Sequence, residues 1–286
     1  MKRERVISLH DTRNDSFDPK EHINFLKNAQ RNAAFRKAFD TLAPDRLVLD
    51  VGTGSGIMAI YAALAGARKV IAVEKDERMA RVAMANIRRH RLENRIKLIV
   101  GDALELTHGN LPPVDILIGE MLSTWCVVEP QVPIFRHLLG VVDGNPIIIP
   151  KRISNYVEGV QTQFGDSEGV VVIPTTYFEL ESTHPKAKKM TSRVIASEIG
   201  FSNDMVLDVS IQISLRALHP GIVNALRLTS ITETCDGITF NPRDDTMPRM
   251  IVPLPEEIRL GTGQMISLAI QYTYGAGWEN FVVRQN

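Results

Sequence analysis

Cysteine is scarce in this chain: there are two, Cys126 and Cys235, and neither falls in a zinc-ligand spacing. Two cysteines are too few for a disulfide scaffold, and no metal site is expected. An excess of either charge is also lacking. Lys+Arg and Asp+Glu both number 33, so there is no bulk attraction to nucleic acid, and nucleic acid is not expected as a partner. A local basic patch stays open. No apolar run reaches the length of a membrane span, and no apolar run follows the charged start Met1-Lys2-Arg3-Glu4-Arg5, which argues against a signal peptide. Internal repeats and low-complexity tracts are absent. What remains is the pattern of an ordered cytoplasmic protein. Its 44% hydrophobic content supports a buried core, and 286 residues accommodate two domains.

The most informative stretch is Leu47-Val48-Leu49-Asp50-Val51-Gly52-Thr53-Gly54-Ser55-Gly56. An apolar strand runs into a turn with glycine at every second position, and Ile57 opens a helix. Strand, glycine turn and helix N-terminus together make a binding mouth. Around it the pattern alternates. A helix is expected from Asp18, Pro19 and Glu21, a capping-box start, to about residue 43. Strands are expected at 47–51, 69–74, 96–100, 114–118 and 146–150, with helices at 57–64, after Asp76, and within 127–139. This order predicts a doubly wound, mostly parallel α/β sheet. Beyond Pro150 the period becomes two. Residues 206–218 and 265–274 alternate apolar with polar, and Pro and Gly interrupt often, which predicts an antiparallel β-barrel or sandwich. The segment 183–190, with Lys186, Lys188 and Lys189, reads as a solvated loop. The expected division is a helical segment capping the cofactor site (1–45), a cofactor-binding α/β domain (46–150) and a β domain for substrate or association (151–286).

The ligand can be narrowed. A dinucleotide fingerprint needs its third glycine where Ile57 stands, and no Gly-Lys-Ser or Gly-Lys-Thr follows to make a P-loop. The Gly52, Gly54, Gly56 spacing fits better the mouth of an S-adenosylmethionine (SAM) methyltransferase. Glu74, at the end of the second strand, is placed to accept two ribose hydroxyls. Asp102, or the backbone of Ala103, ends the third strand where an adenine edge would reach. After the fourth strand comes Glu120, and Glu129 follows nine residues on. Two carboxylates at one site suit a planar cation rich in N–H donors, and a guanidinium fits the fork geometry best. For Glu129 alone, helix capping is an equal alternative.

The Glu120–Glu129 loop resembles the double-glutamate loop of the protein arginine methyltransferases. Residues 26–36 resemble that family's helix before the first strand, and Arg31 falls on the arginine that holds the cofactor carboxylate there. Asp50, Gly52, Gly54, Gly56 and Glu74 match its cofactor positions. Residues 147–152 resemble its passage into a β-barrel. The resemblance covers 17–158 well and the rest loosely. It implies an N-methyltransferase acting on a guanidinium or other cationic nitrogen, with Glu120 and Glu129 catalytic. It implies SAM as cofactor and S-adenosylhomocysteine (SAH) as product. A protein or small-molecule acceptor follows, with a homodimer as an option and 162–199 as the region for an arm. Three positions depart from the family: Thr246-Met247-Pro248 stands nearest its Thr-His-Trp triplet, Phe17 alone answers to its tyrosine-rich N-terminal motif, and Leu104 replaces an acid. Two other readings stay open, a SAM methyltransferase of a small molecule or RNA on the same scaffold, and a SAM-binding scaffold protein without transfer activity. A nicotinamide oxidoreductase is the remotest.

Overall fold

The computed structural model describes residues 26–285 apart from 110, 167, 169, 181, 184 and 242–246. The expected helix start at Asp18, together with Phe17, Thr246 and the capping residue Glu21, lies outside them. The chain is helical at Leu26 and Lys27, breaks at Asn28, and resumes as α1 (Ala29–Leu42). The break corrects the single continuous helix. The Asn28 side chain accepts a hydrogen bond from the Arg31 N–H (2.9 Å) and starts a new helix there.

Five parallel strands follow the expected alternation: β1 (Leu47–Val51), β2 (Lys69–Glu74), β3 (Ile96–Val100), β4 (Ile116–Gly119) and β5 (Ile147–Ile149). Their order in the sheet is β3-β2-β1-β4-β5. Helices α2 (Ile57–Leu64) and α3 (Glu77–Arg89) connect the first three strands, and α4 (Gln131–Val141) lies between β4 and β5. Apolar periodicity explains α3, whose Met79, Ala80, Ala83 and Ile87 are buried on one face. Asp76 caps it by accepting from Arg78 N–H (2.7 Å). The strand order reverses between β1 and β4, so the crevice at their carboxyl ends is the topological switch point, where open α/β sheets place their ligands.

At Pro150 the pairing turns antiparallel. The main sheet runs β7 (Tyr177–Glu179), β13 (Arg249–Leu260), β11 (Gly221–Cys235), β6 (Arg152–Gln161) and β8 (Lys188–Lys189), with β12 (Ile238–Phe240) on β11 and β9 (Val194–Gly200) on β6. A smaller sheet pairs β10 (Asp208–Arg216), β14 (Met265–Thr273) and β15 (Val282–Gln285). The alternation read in the sequence is the burial pattern: Ile266, Leu268, Ile270 and Tyr272 are buried and their neighbours less so. The 183–190 segment is not all loop, since Lys188 and Lys189 pair with β6.

One hydrophobic core runs through both halves. Helix α1 joins them, with Phe35 and Phe240 ring centroids 5.7 Å apart and Thr234 Oγ1 donating to the Ala34 carbonyl (3.2 Å). Among the described residues no helix is long and apolar enough to cross a membrane.

Candidate functional site

The switch-point crevice is a cleft of about 290 Å³, lined by residues that lie between 26 and 134 in the chain. Parallel strands end side by side, so residues far apart in sequence meet there. The turn after β1 takes left-handed backbone at Gly52 (φ 65°) and at Gly56 (φ 85°), which forms the N-cap of α2. A Cβ on Gly52 would stand 2.8 Å from Met121 Sδ, so the small residue admits the chain after β4 against the turn. Gly56 does not line the cleft; it lets α2 start close to α3, where a Cβ would meet Ala83 at 3.4 Å.

Glu74 is held at both oxygens. Gly54 N–H donates to one (2.7 Å) and Asp76 N–H to the other (2.8 Å). Each carboxylate oxygen keeps a lone pair for a further donor. Asp50 is fully buried beneath the turn and accepts from Thr53 Oγ1 (2.6 Å). Burial pushes its carboxyl up to about 7; the Thr53 hydroxyl opposes this, and the charges of Glu74 and Glu120 add to it. Asp102 accepts from Leu104 N–H (2.9 Å), starting a short 3₁₀ turn at Ala103, and faces Lys75 at 3.3 Å.

Arg31 reaches the cleft from α1 and pairs with Glu120; the side chains are 4% and 10% exposed. Its other amino group donates to Asn32 Oδ1 (2.9 Å). Glu129 lines the same cleft, so the loop does bring the two glutamates to one site. Glu129 is not the cap of α4, because the N-cap is Pro130 and the helix begins at Gln131 rather than near 127. The reason is a tight turn at Thr124–Cys126, with Trp125 and Cys126 in left-handed backbone (φ 60° and 54°).

The β half fixes this turn. Trp125 is wholly buried; its backbone N–H donates to Ser230 Oγ (2.9 Å), and its indole N–H lies 3.3 Å from the carbonyls of Tyr156 and Thr229. Thr124 Oγ1 donates to the Pro248 carbonyl (2.7 Å), and Gly275 N–H to the Cys126 carbonyl (3.0 Å). Met247, next to Pro248, is buried in the core. Within the loop, Ser123 Oγ accepts from the N–H groups of Val128 and Glu129 (both 3.1 Å). Gln131 is fully buried and brackets Glu120. Its Nε2 donates to the Gly119 carbonyl (3.0 Å) and its Oε1 accepts from Met121 N–H (2.9 Å).

The structure therefore brings Arg31, Asp50, Gly52, Gly54, Glu74, Asp102, Ala103, Glu120 and Glu129 to one cleft. Sequence reasoning missed Ser55, Met121, Ser123, Gln131 and Ser230. Only the proximity of Met121 to Glu120 carried a signal, since small polar residues in turns are common. The residues fit SAM. The buried Ser55 Oγ, on the cleft wall, has no hydrogen-bond partner among the described residues, and Glu74 retains acceptor capacity for hydroxyls. Among the described residues, six acidic side chains line the cleft (Asp50, Glu74, Asp76, Asp102, Glu120, Glu129), Asp50 being held near neutrality, against two cations, Arg31 and Lys75. Such a balance draws cations, as suits a sulfonium with an amino group.

Comparison with known proteins agrees with this geometry. Residues 36–128 match the family model described as ribosomal protein L11 methyltransferase (PrmA). An uncharacterised protein of Methanothermobacter thermautotrophicus is 29% identical over 91% of this chain and 94% of its own length. The arginine N(omega)-methyltransferase of Streptomyces achromogenes subsp. streptozoticus is 24% identical over 93% of this chain and 78% of its own. The Trypanosoma brucei PRMT1 enzyme–prozyme complex with AdoHcy contains a chain that superposes with a TM-score of 0.75 and 18% identity, over 93% of this chain and 96% of that one. The chain is a class I SAM-dependent methyltransferase that resembles the protein arginine methyltransferases.

Proposed function

We propose that the chain is an N-methyltransferase for a guanidinium or another cationic nitrogen, held between Glu120 and Glu129. One observation carries the reading: both glutamates line the cleft that also holds Arg31, Glu74 and the glycine turn. When bound, SAM supplies an electrophilic methyl on a sulfonium. The chain's own residues do the rest. Glu74 accepts hydroxyl donors, and Arg31 offers its guanidinium to a carboxylate. Glu120 and Glu129 accept N–H groups of the acceptor, gather its positive charge on the side they face, and hold the reacting nitrogen in place. A carboxylate beside that nitrogen is also the group to receive the proton it sheds on alkylation. The gain is positioning and electrostatics.

A small acceptor is favoured over a protein segment by two observations. The described cleft lining contains no residue of the β half, and the Streptomyces relative, named for arginine itself, matches nearly the whole chain. The scaffold reading without transfer is disfavoured by the paired glutamates.

The test is Glu129→Gln, which keeps shape and removes charge. Turnover should fall about 100-fold or more, the scale of losing one charge-stabilising contact. Affinity for SAH, by calorimetry, should stay within about threefold, because the cofactor contacts assigned above involve other groups. Normal turnover of the variant on an identified acceptor would sink the clamp.

A further inference from the structure

The end of the parallel sheet opposite the cleft carries the reverse charge. The strands begin there, and the backbone draws three segments together: Arg68 N–H donates to the Arg46 carbonyl (3.0 Å), and Val70 N–H to the Arg95 carbonyl (2.9 Å). Arg88, Arg89, Arg91 and Arg95 are exposed where α3 ends and β3 begins, and Arg68 and Lys69 open β2 beside them. The acids that flank these segments are Asp45, Glu93 and Asp115, and among the described residues only Arg68 of these cations faces one of them, Asp115 at 3.8 Å. Neighbouring strands lie about 4.8 Å apart, so the starts of β1, β2 and β3 set this charge along an edge roughly 10 Å long.

Helix electrostatics account for part of it. Arg88 and Arg89 sit in the last turn of α3, where cations complement the negative end of the helix, and Arg95 donates to the Ala63 carbonyl at the end of α2 (3.2 Å). Arg68 and Arg91 lie outside any helix, and their guanidinium groups donate to no carbonyl among the described hydrogen bonds. The zero net charge of the chain thus hides a separation, acidic at the cleft and basic at the far end.

We propose that this basic end binds the phosphate backbone of a double-stranded nucleic acid. Arginine predominates, and its planar fork suits phosphate oxygens. The segments 44–46, 66–69 and 88–97 contain no Phe, Tyr or Trp, and His90 is their one aromatic ring, so they offer no row of rings on which successive bases of a single strand would stack. Their only large apolar residues, Leu92 and Ile96, are buried, so an acidic protein segment would find no apolar anchor among them, and exposed ion pairs alone contribute little. A row of exposed arginines neutralises a regular backbone instead. The proposal is independent of the methyl acceptor and revises the expectation, drawn from net charge, that nucleic acid is not a partner.

The experiment is fluorescence anisotropy on the full chain with labelled 20-base-pair RNA and DNA duplexes and a 20-residue polyglutamate, at 50 and 200 mM salt. Contact with about four phosphates predicts duplex affinity falling about 100-fold between these salt concentrations. R88Q/R89Q/R91Q should weaken duplex binding at least tenfold, leaving SAH affinity by calorimetry as in the unmodified chain; R259Q, on β13, should change neither. The RNA and DNA arms report which duplex is preferred. No duplex binding at 50 mM salt, tighter binding of polyglutamate, or equal duplex binding by the triple variant would each overturn the proposal.

Discussion

Asp50 is buried beneath the glycine turn, where the Thr53 hydroxyl and the Ala59 backbone donate to it and the charges of Glu74 and Glu120 lie nearby. Its carboxyl is raised to about 7, burial being the main cause. In the unfolded chain an aspartate ionises near 4. Between about pH 4 and 7 the native state therefore holds a proton that the unfolded state has lost, and stability falls as pH rises through that window. Asp50→Asn removes this dependence. Urea unfolding at pH 5 and at pH 8 should show the variant gaining on the unmodified chain at the higher pH, by up to about 3 kcal/mol, the two pH units between 5 and 7 at roughly 1.4 each. A stability difference that does not change with pH would contradict the burial argument. At this scale, the residues legible in the sequence were those whose place follows from a strand end: Asp50 and Glu74 lie in the last two positions of their strands, and Asp102 and Glu120 follow theirs. Gln131 and Ser55 were not legible. Their roles depend on which backbone groups face them across the loop, and no spacing rule encodes that.

The loop from Glu120 to Glu129 is the element that the two halves build together. Its glutamates face the α/β cleft, while Trp125 is locked into the β half by Ser230 and by the carbonyls of Tyr156 and Thr229. Ser230 also donates to Asn155 Oδ1 (2.8 Å), so its hydroxyl ties the loop to β6. Ser230→Ala leaves a buried N–H and a buried amide oxygen without that partner, at a cost of about 1–3 kcal/mol. Denaturant unfolding should register that loss, and turnover should fall more than SAH affinity does, because the proposed clamp for the methyl acceptor sits on this loop. Equal losses in turnover and SAH affinity would mean that the anchor acts on the whole cleft rather than on the loop. Sequence patterning placed a helix across 127–139, yet α4 starts at Gln131. The apolar run Trp125-Cys126-Val127 looks helical because it is buried; the burial is against the β half, and the left-handed backbone at Trp125 and Cys126 that achieves it has no glycine to announce it.

On the scale of the molecule, the alternation of strand and helix made the parallel sheet legible, and the change to period two at Pro150 made the antiparallel half legible. The route of the β sheets was not, because β11 pairs with β6 across a large sequence distance that local pattern does not specify. Nor was the sorting of charge to opposite ends, which appears only when strand direction is known. The acidic cleft and the paired glutamates make one central claim: the methyl group goes to a cationic nitrogen. The most direct measurement incubates the chain with methyl-labelled SAM and L-arginine, an arginine-containing peptide and neutral amides, then locates the label in the product by mass spectrometry. The account predicts label on a guanidino nitrogen, with the free amino acid preferred. Label in a neutral amide with none on a cationic nitrogen would contradict it.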